Sequence, residues 1–158
     1  MLEIVRIENI LVNQEPNNWE ESISIVGQLL ENSGSVNAKY TEAMIDAVKQ
    51  LGPYIVIGKH IAIAHAAPEI HVHKNDMSVA ILSKPVAFGS QNDPVKVLFA
   101  LASVDGKSHL EKLMELARII GEDDEVVDLL SKCTTKEEVY EIINGVNNGR
   151  VPLSHRKG

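Results

Sequence analysis

His65 closes a short apolar run, Ile61-Ala62-Ile63-Ala64, and is followed by Ala66-Ala67 before Pro68 stops the element. Alanine has little bulk, so a reactive group on a partner can approach this imidazole without displacing large side chains. An imidazole near its ordinary pKa of about 6.5 is a usable nucleophile or proton carrier at neutral pH. The plainer alternative is a histidine that ends a strand with its ring satisfied by backbone. A second histidine, His109, lies behind the polar cluster Asp105-Gly106-Lys107-Ser108. It falls at the start of a helical pattern, where backbone amides favour an anion such as phosphate.

The other histidines suggest a different chemistry. His71 and His73 form a His-x-His pair, and with His60 they are imidazoles of the kind zinc accepts. A third and fourth ligand at familiar spacing is missing, so the expectation is no metal; a metal-dependent hydrolase built on these residues would carry stoichiometric zinc or manganese. A Ser-His-Asp hydrolase is weaker still, because no Gly-x-Ser-x-Gly elbow occurs. Cys133, the single cysteine, permits neither an internal disulfide nor a cysteine-based zinc cluster, and its helical context suits an inert, half-buried thiol.

Strands and helices must bring these side chains to a common place. Residues 2–12 interleave apolar and charged positions, as a half-buried strand or lead-in would. Asn18 with Glu21 makes a capping box ahead of a first helix ending near Gly34, and Asn37 caps a second that ends at Gly52-Pro53. Residues 54–57 and 61–63 read as two strands joined by Gly58-Lys59-His60, the second leading to His65. Residues 77–82 and 86–88 read as two further strands divided at Lys84-Pro85, since proline denies a strand its amide donor. Residues 95–104 are apolar enough for a central strand covered on both faces. From Ser108 the spacing becomes helical up to Gly121, a short helix opens at Asp123 or Asp124, and Thr135 with Glu138 caps a last one. Helices that enclose strands in this way predict an α/β layered domain over residues 1–149, with 150–158 as a flexible basic tail.

Composition narrows the function. The chain has 158 residues, of which 44% are apolar and 23% charged, which suits one globular domain. A net charge of −7 repels phosphate backbones and anionic lipids, so no nucleic-acid or membrane binding is expected. Glu3, Arg6 and Glu8 interrupt any apolar signal core, and the chain reads as cytoplasmic.

Several local motifs carry a family resemblance that spans about residues 5–147. They are Ile61-Ala62-Ile63-Ala64-His65, Tyr40 with Ala43-Met44-Ile45-Asp46, Gly52-Pro53-Tyr54-Ile55-Val56-Ile57, Ala66-Ala67-Pro68-Glu69, Lys84-Pro85, Asn92-Asp93-Pro94-Val95, and Val104-Asp105 with His109. Together they resemble the type-2 enzyme IIA components of the bacterial phosphoenolpyruvate-dependent sugar phosphotransferase system, the mannitol/fructose superfamily, and within it the ascorbate-specific branch. Ala64 stands where most members have proline before the phosphorylated histidine, and Ala47 where many mannitol-type members have arginine. The resemblance implies a single-domain layered sandwich with a central mixed β-sheet flanked by helices. It implies that His65 takes a phosphoryl group from the phosphohistidine carrier protein HPr and passes it to an enzyme IIB, with membrane IIC involved only indirectly. It also implies that His109 donates a hydrogen bond to the phosphoryl oxygens, and that neither cofactor nor metal is needed. Lys59 stands as a candidate cation in place of arginine, and a homodimer is left open. An alternative on the same fold is a regulatory module that binds a transcription regulator or transporter according to phosphorylation state.

Overall fold

The computed structural model describes residues 3–67, 71–120 and 124–147, without the side chains of His109, Lys112, Ile119, Val146 and Asn147. A 3-10 turn (Ile7–Asn9) leads into β1 (Ile10–Gln14), then α1 (Trp19–Asn32) and α2 (Ala38–Leu51). Next come β2 (Val56–Gly58), β3 (Ile61–Ala64), β4 (Asp76–Val86) and β5 (Val95–Ala102), followed by α3 (Gly106–Ile120), α4 (Glu125–Ser131) and α5 (Lys136–Asn147). The five strands form one mixed sheet in the order β1-β4-β5-β3-β2. β4 is antiparallel to β5, β3 is parallel to β5, and β2 folds back antiparallel on β3. The expected layered sandwich with a mixed central sheet is therefore the observed one, and residues 95–102 take its middle position.

Alternation along the strands sorts the interior into two layers. Ala62, Ala64, Ala80, Ala100 and Ala102 face the helix pair α1 and α2. Ile61, Ile63, Val79, Val97, Phe99 and Leu101 face α3, α4 and α5. Small side chains on the first face let that helix pair lie close to the sheet, and the pair is itself close: a Cβ added at Gly27 of α1 would run into the Thr41 side chain of α2. Large side chains on the second face fill the wider space beneath three helices.

Helix boundaries follow local caps. Asn18 Oδ1 accepts the Glu21 N–H at 2.8 Å, and Asn37 Oδ1 accepts that of Lys39 at 3.0 Å. Thr135 and Glu138 close a reciprocal box, with Glu138 N–H donating to Thr135 Oγ1 at 3.2 Å and Thr135 N–H to Glu138 Oε1 at 3.0 Å. α3 starts two residues ahead of the expected Ser108, because Asp105 Oδ1 accepts the Ser108 N–H at 2.7 Å and thereby caps the helix.

Strand expectations need correction in three places, and one is that residues 54–55 form a turn, so that β2 starts at Val56. The N-terminal segment makes its 3-10 turn first, so the strand runs from Ile10 rather than over residues 2–12. Residues 77–82 and 86–88 are not two strands, because β4 continues through Lys84-Pro85. Its pairing with β5 runs to Ile81↔Val97 and resumes at Val86↔Val95 after a register shift, so Pro85 falls where the ladder asks for no donor. Gly121, the expected helix stop, and residues 148–158, which include the expected tail, lie outside the described residues.

The first residues are held to the last helix by the Asn144 amide and by the Tyr140 hydroxyl, which donates to Glu3 Oε2 at 2.6 Å. Asn144 is fully buried; its Oδ1 accepts the Ile4 N–H at 2.7 Å, and its Nδ2 donates to Val5 O and Tyr140 O, each at 3.1 Å. Asn144→Ala leaves buried backbone groups unpaired, so a loss of about 2–4 kcal/mol is expected by urea titration, with little change in chemistry at His65, separated from β1 by the two strands β4 and β5.

Candidate functional site

β3 delivers His65 to the sheet end where β5 also finishes, since Ala64 pairs with Ala100 in a parallel register. Polar groups gather beyond strand ends in α/β sheets, and that is where the site forms. The His65 ring is half-buried and turns back on its own strand, with Nδ1 2.8 Å from Ile63 O. A carbonyl oxygen only accepts, so Nδ1 bears the proton and Nε2 the lone pair. Burial pushes the pKa of His65 below its ordinary 6.5, with the Ile63 bond acting in the opposite direction. The imidazole is therefore neutral at physiological pH, in the tautomer whose lone pair lies on Nε2.

Two tyrosines frame this histidine. Tyr54 sets its ring edge-on to the imidazole, centroids 5.2 Å apart at 86°, and its hydroxyl donates to His65 O at 2.9 Å. Tyr40, 1% exposed, donates to Leu101 O at 2.6 Å and accepts the Ala66 N–H at 3.2 Å. One phenol thus ties the residue after His65 to the end of β5. Burial raises the Tyr40 pKa to about 12, so the hydroxyl keeps its proton throughout the working pH range. In the sequence, Tyr40 falls inside the second helix and Tyr54 at the start of an apolar run, with nothing local to join either to His65. The antiparallel pairing of β2 with β3 across Gly58-Lys59-His60 returns the turn before β2, which carries Tyr54, to the end of β3 where His65 stands.

His109 is the fourth residue of α3, in its first turn, behind the Asp105 cap; its side chain lies outside the described residues. Asp105 itself is held below the usual carboxylate range, chiefly by the Ser108 amide. At the same end Asn75 Oδ1 accepts the Val104 N–H at 2.8 Å, fixing the exit of β5. Beside Ala66 a groove of about 340 Å³ opens over Tyr40, Asp46, Ala47, Ala67 and His71, floored by small side chains. Pro68 and Glu69 of the motif lie outside the described residues.

Lys59, the candidate cation, is not at this site. It precedes β3 whereas His65 follows it, and it lines a separate cleft of about 360 Å³ with His60, Lys96, Glu125 and Asp128 at the opposite sheet end. His60 is turned there by its Nδ1, 2.7 Å from Pro94 O, while His71 Nδ1 lies 3.1 Å from Asn37 Nδ2 at the His65 end. His60 and His71 are thus kept apart by the length of β3, and among the described residues no three His, Cys, Asp or Glu side chains converge as metal ligands. Cys133 is buried, its thiol pushed up to about 11 by desolvation, as an inert cysteine would be.

Residues 3–146 match the family model described as Phosphoenolpyruvate-dependent sugar phosphotransferase system, EIIA 2. The chain belongs to this family. It is 36% identical over 142 residues to the ascorbate-specific PTS system EIIA component of Escherichia coli K12, covering 89% of this chain and 92% of that protein. The solution structure of the mannitol-specific cryptic phosphotransferase enzyme IIA CmtB from Escherichia coli superimposes with a TM-score of 0.80 at 26% identity, covering 89% of this chain and 95% of that one. The Escherichia coli mannitol enzyme IIA, solved in complex with phosphorylated enzyme IIB, gives 0.78 at 26% identity, covering 89% and 97%. The protein is thus an EIIA component of a sugar phosphotransferase system, a phosphotransferase carrier. Among the described residues no helix is long and apolar enough to cross a membrane.

Proposed function

We propose that this EIIA component accepts a phosphoryl group on His65 Nε2 from HPr and hands it to an enzyme IIB of an ascorbate-type system in the cytoplasm. The observation that carries this reading is the bond from His65 Nδ1 to Ile63 O, which leaves Nε2 as the nucleophile of a neutral ring. The P–N bond of the donor phosphohistidine breaks as the bond to Nε2 forms, and discharge to enzyme IIB reverses the geometry. Such a loose transition state asks for positioning and charge stabilisation, not for elaborate covalent machinery. His109, in the first turn of α3, supplies a hydrogen bond to the phosphoryl oxygens. The ascorbate assignment is supported by the 36% identity to a component of that specificity. The small residues Ala66 and Ala67 leave room for a partner's histidine or cysteine to approach in line.

The test is intact mass after incubation with phosphoenolpyruvate, enzyme I and HPr, followed by addition of an ascorbate-type enzyme IIB. One acid-labile phosphoryl group, discharged by that IIB, is the expected result. A folded protein that takes no label overturns the reading, and one that charges but discharges to no IIB points to the regulatory module instead.

The rate should depend on pH with a defined sign. Labelling should stay nearly level from about pH 8 to about pH 6.5 and fall below that, because protonation of Nε2 removes the nucleophile. Stability follows the same group: the unfolded chain takes up its proton near 6.5 and the folded chain only at lower pH. Between those two values the unfolded state binds more protons, so stability declines as pH falls through that window and is unaffected by His65 above it. A labelling rate that rises on acidification would contradict the assignment of Nε2.

A further inference from the structure

Ser103 Oγ is the one buried side-chain oxygen or nitrogen without a hydrogen-bond partner among the described residues. The residue is 1% exposed. An unpaired buried hydroxyl is unfavourable by about 1–3 kcal/mol, so its persistence asks for a reason. Its backbone surroundings are fixed on both sides: Leu101 O receives the Tyr40 hydroxyl, and the Val104 N–H is taken by Asn75. The backbone that carries the hydroxyl is thus fixed at the end of β5, and the bonding capacity of Oγ is unused.

Its place in the sheet is next to the phosphorylation site. Ile61 and Ile63 of β3 share the α3-side layer with Val97, Phe99 and Leu101 of β5. His65 and Ser103 each continue those odd-numbered series by one step, on neighbouring parallel strands where Ala64 pairs with Ala100. With strands roughly 4.8 Å apart and a rise of roughly 3.3 Å per residue, the two Cα atoms stand roughly 8 Å apart. An imidazole lengthened by a phosphoryl group on Nε2 spans that gap.

We propose that Ser103 Oγ is a phosphoryl-binding hydroxyl, left unpaired in the resting protein and satisfied by an oxygen of the phosphoryl group on His65. The inference rests on the phosphocarrier reading above. The hydroxyl donates a hydrogen bond and keeps its proton; no bond to Oγ forms. Because the backbone that carries the donor is already fixed, the phosphohistidine gains a charge-assisted bond with little further ordering. The unphosphorylated state bears the unpaired group, so phosphorylation itself becomes more favourable.

The full chain with Ser103→Ala and with Ser103→Thr tests this, using three readouts. Unphosphorylated Ser103→Ala is expected to be at least as stable as the wild type, since an unsatisfied hydroxyl is removed. Its phosphohistidine is expected to hydrolyse about tenfold faster at neutral pH, with a shifted phosphorus resonance, and Ser103→Thr is expected to restore both. In the phosphorylated wild type, the Ser103 hydroxyl proton resonance should move downfield as it enters a charge-assisted hydrogen bond, a readout that needs no variant. Equal hydrolysis and an unchanged phosphorus resonance in Ser103→Ala, or an unshifted hydroxyl proton in the labelled wild type, overturns the assignment of Ser103 alone. Failure of the wild type to label overturns the carrier reading and this inference with it.

Discussion

His65→Gln is expected to take up no phosphoryl group, a loss of at least roughly 10⁴-fold in transfer rate, while unfolding close to the wild-type denaturant midpoint. Glutamine is the informative replacement because its amide nitrogen stands close to where the ring carries Nε2, in a neutral side chain of similar reach, while Nδ1 is the ring atom that meets Ile63 O at 2.8 Å. The side chain remains neutral, so the local electrostatics of the resting site are kept. What is lost is a nitrogen lone pair, since an amide nitrogen is not a nucleophile. His65→Ala removes the nucleophile too, but it also takes away the ring that meets Tyr54 edge-on at 5.2 Å, so any change in folding would confuse the result. Labelling followed by intact mass, with chemical unfolding of the same sample, separates chemistry from stability. A His65→Gln protein that still gains an acid-labile group would place the phosphorylated residue elsewhere and end the assignment.

The difference between what sequence revealed and what it concealed follows the distance over which each feature is encoded. Asn18, Asn37 and the Thr135–Glu138 box act within three residues, and the helices begin where those residues predict. His65 was visible for the same reason: an apolar strand, a histidine and two alanines are adjacent in the chain. β4 passing through Pro85 was hidden, because a proline is compatible with a strand only if the partner strand shifts register there, and β5 lies beyond the intervening loop. The remainder of the site depends on longer separations. Tyr40 reaches Ala66 and Leu101 across 26 and 61 positions, and no periodicity within α2 foretells either contact. Ser103 sits inside an apolar run; only its lack of a partner distinguishes it, and a missing bond has no signature in sequence. Lys59 shows the converse. It is six positions from His65 in the chain yet at the other end of the strand, because β3 is extended between them.

Tyr40→Phe is expected to have the largest effect among residues that do not react. The phenol hydroxyl occupies both partners at once, donating to Leu101 O at 2.6 Å and accepting from Ala66 N–H at 3.2 Å, in a position 1% exposed. Phenylalanine fills the same volume, so no cavity opens and the ring stays packed with Met44 and Val48 in the layer beneath α2. Two backbone groups are nevertheless left unpaired in a place water hardly enters. Each such group is unfavourable by about 1–3 kcal/mol, so a loss of about 2–4 kcal/mol by urea titration is expected. The functional loss should exceed what that destabilisation explains. Ala66 follows His65 directly, and without the phenol its amide is no longer tied to β5. The imidazole then samples a wider range of directions, and a transfer rate reduced roughly 10- to 100-fold is expected even under conditions where the variant is fully folded. Tyr54→Phe is the matched comparison. It too removes a hydroxyl bonded beside the site, 2.9 Å from His65 O, but Tyr54 is 38% exposed and water can replace the bond. Its expected loss is below about 1 kcal/mol, with transfer near normal. If Tyr40→Phe transferred as fast as Tyr54→Phe at equal folded fraction, the buried phenol would be a structural pin for the sheet end and not the element that aims His65.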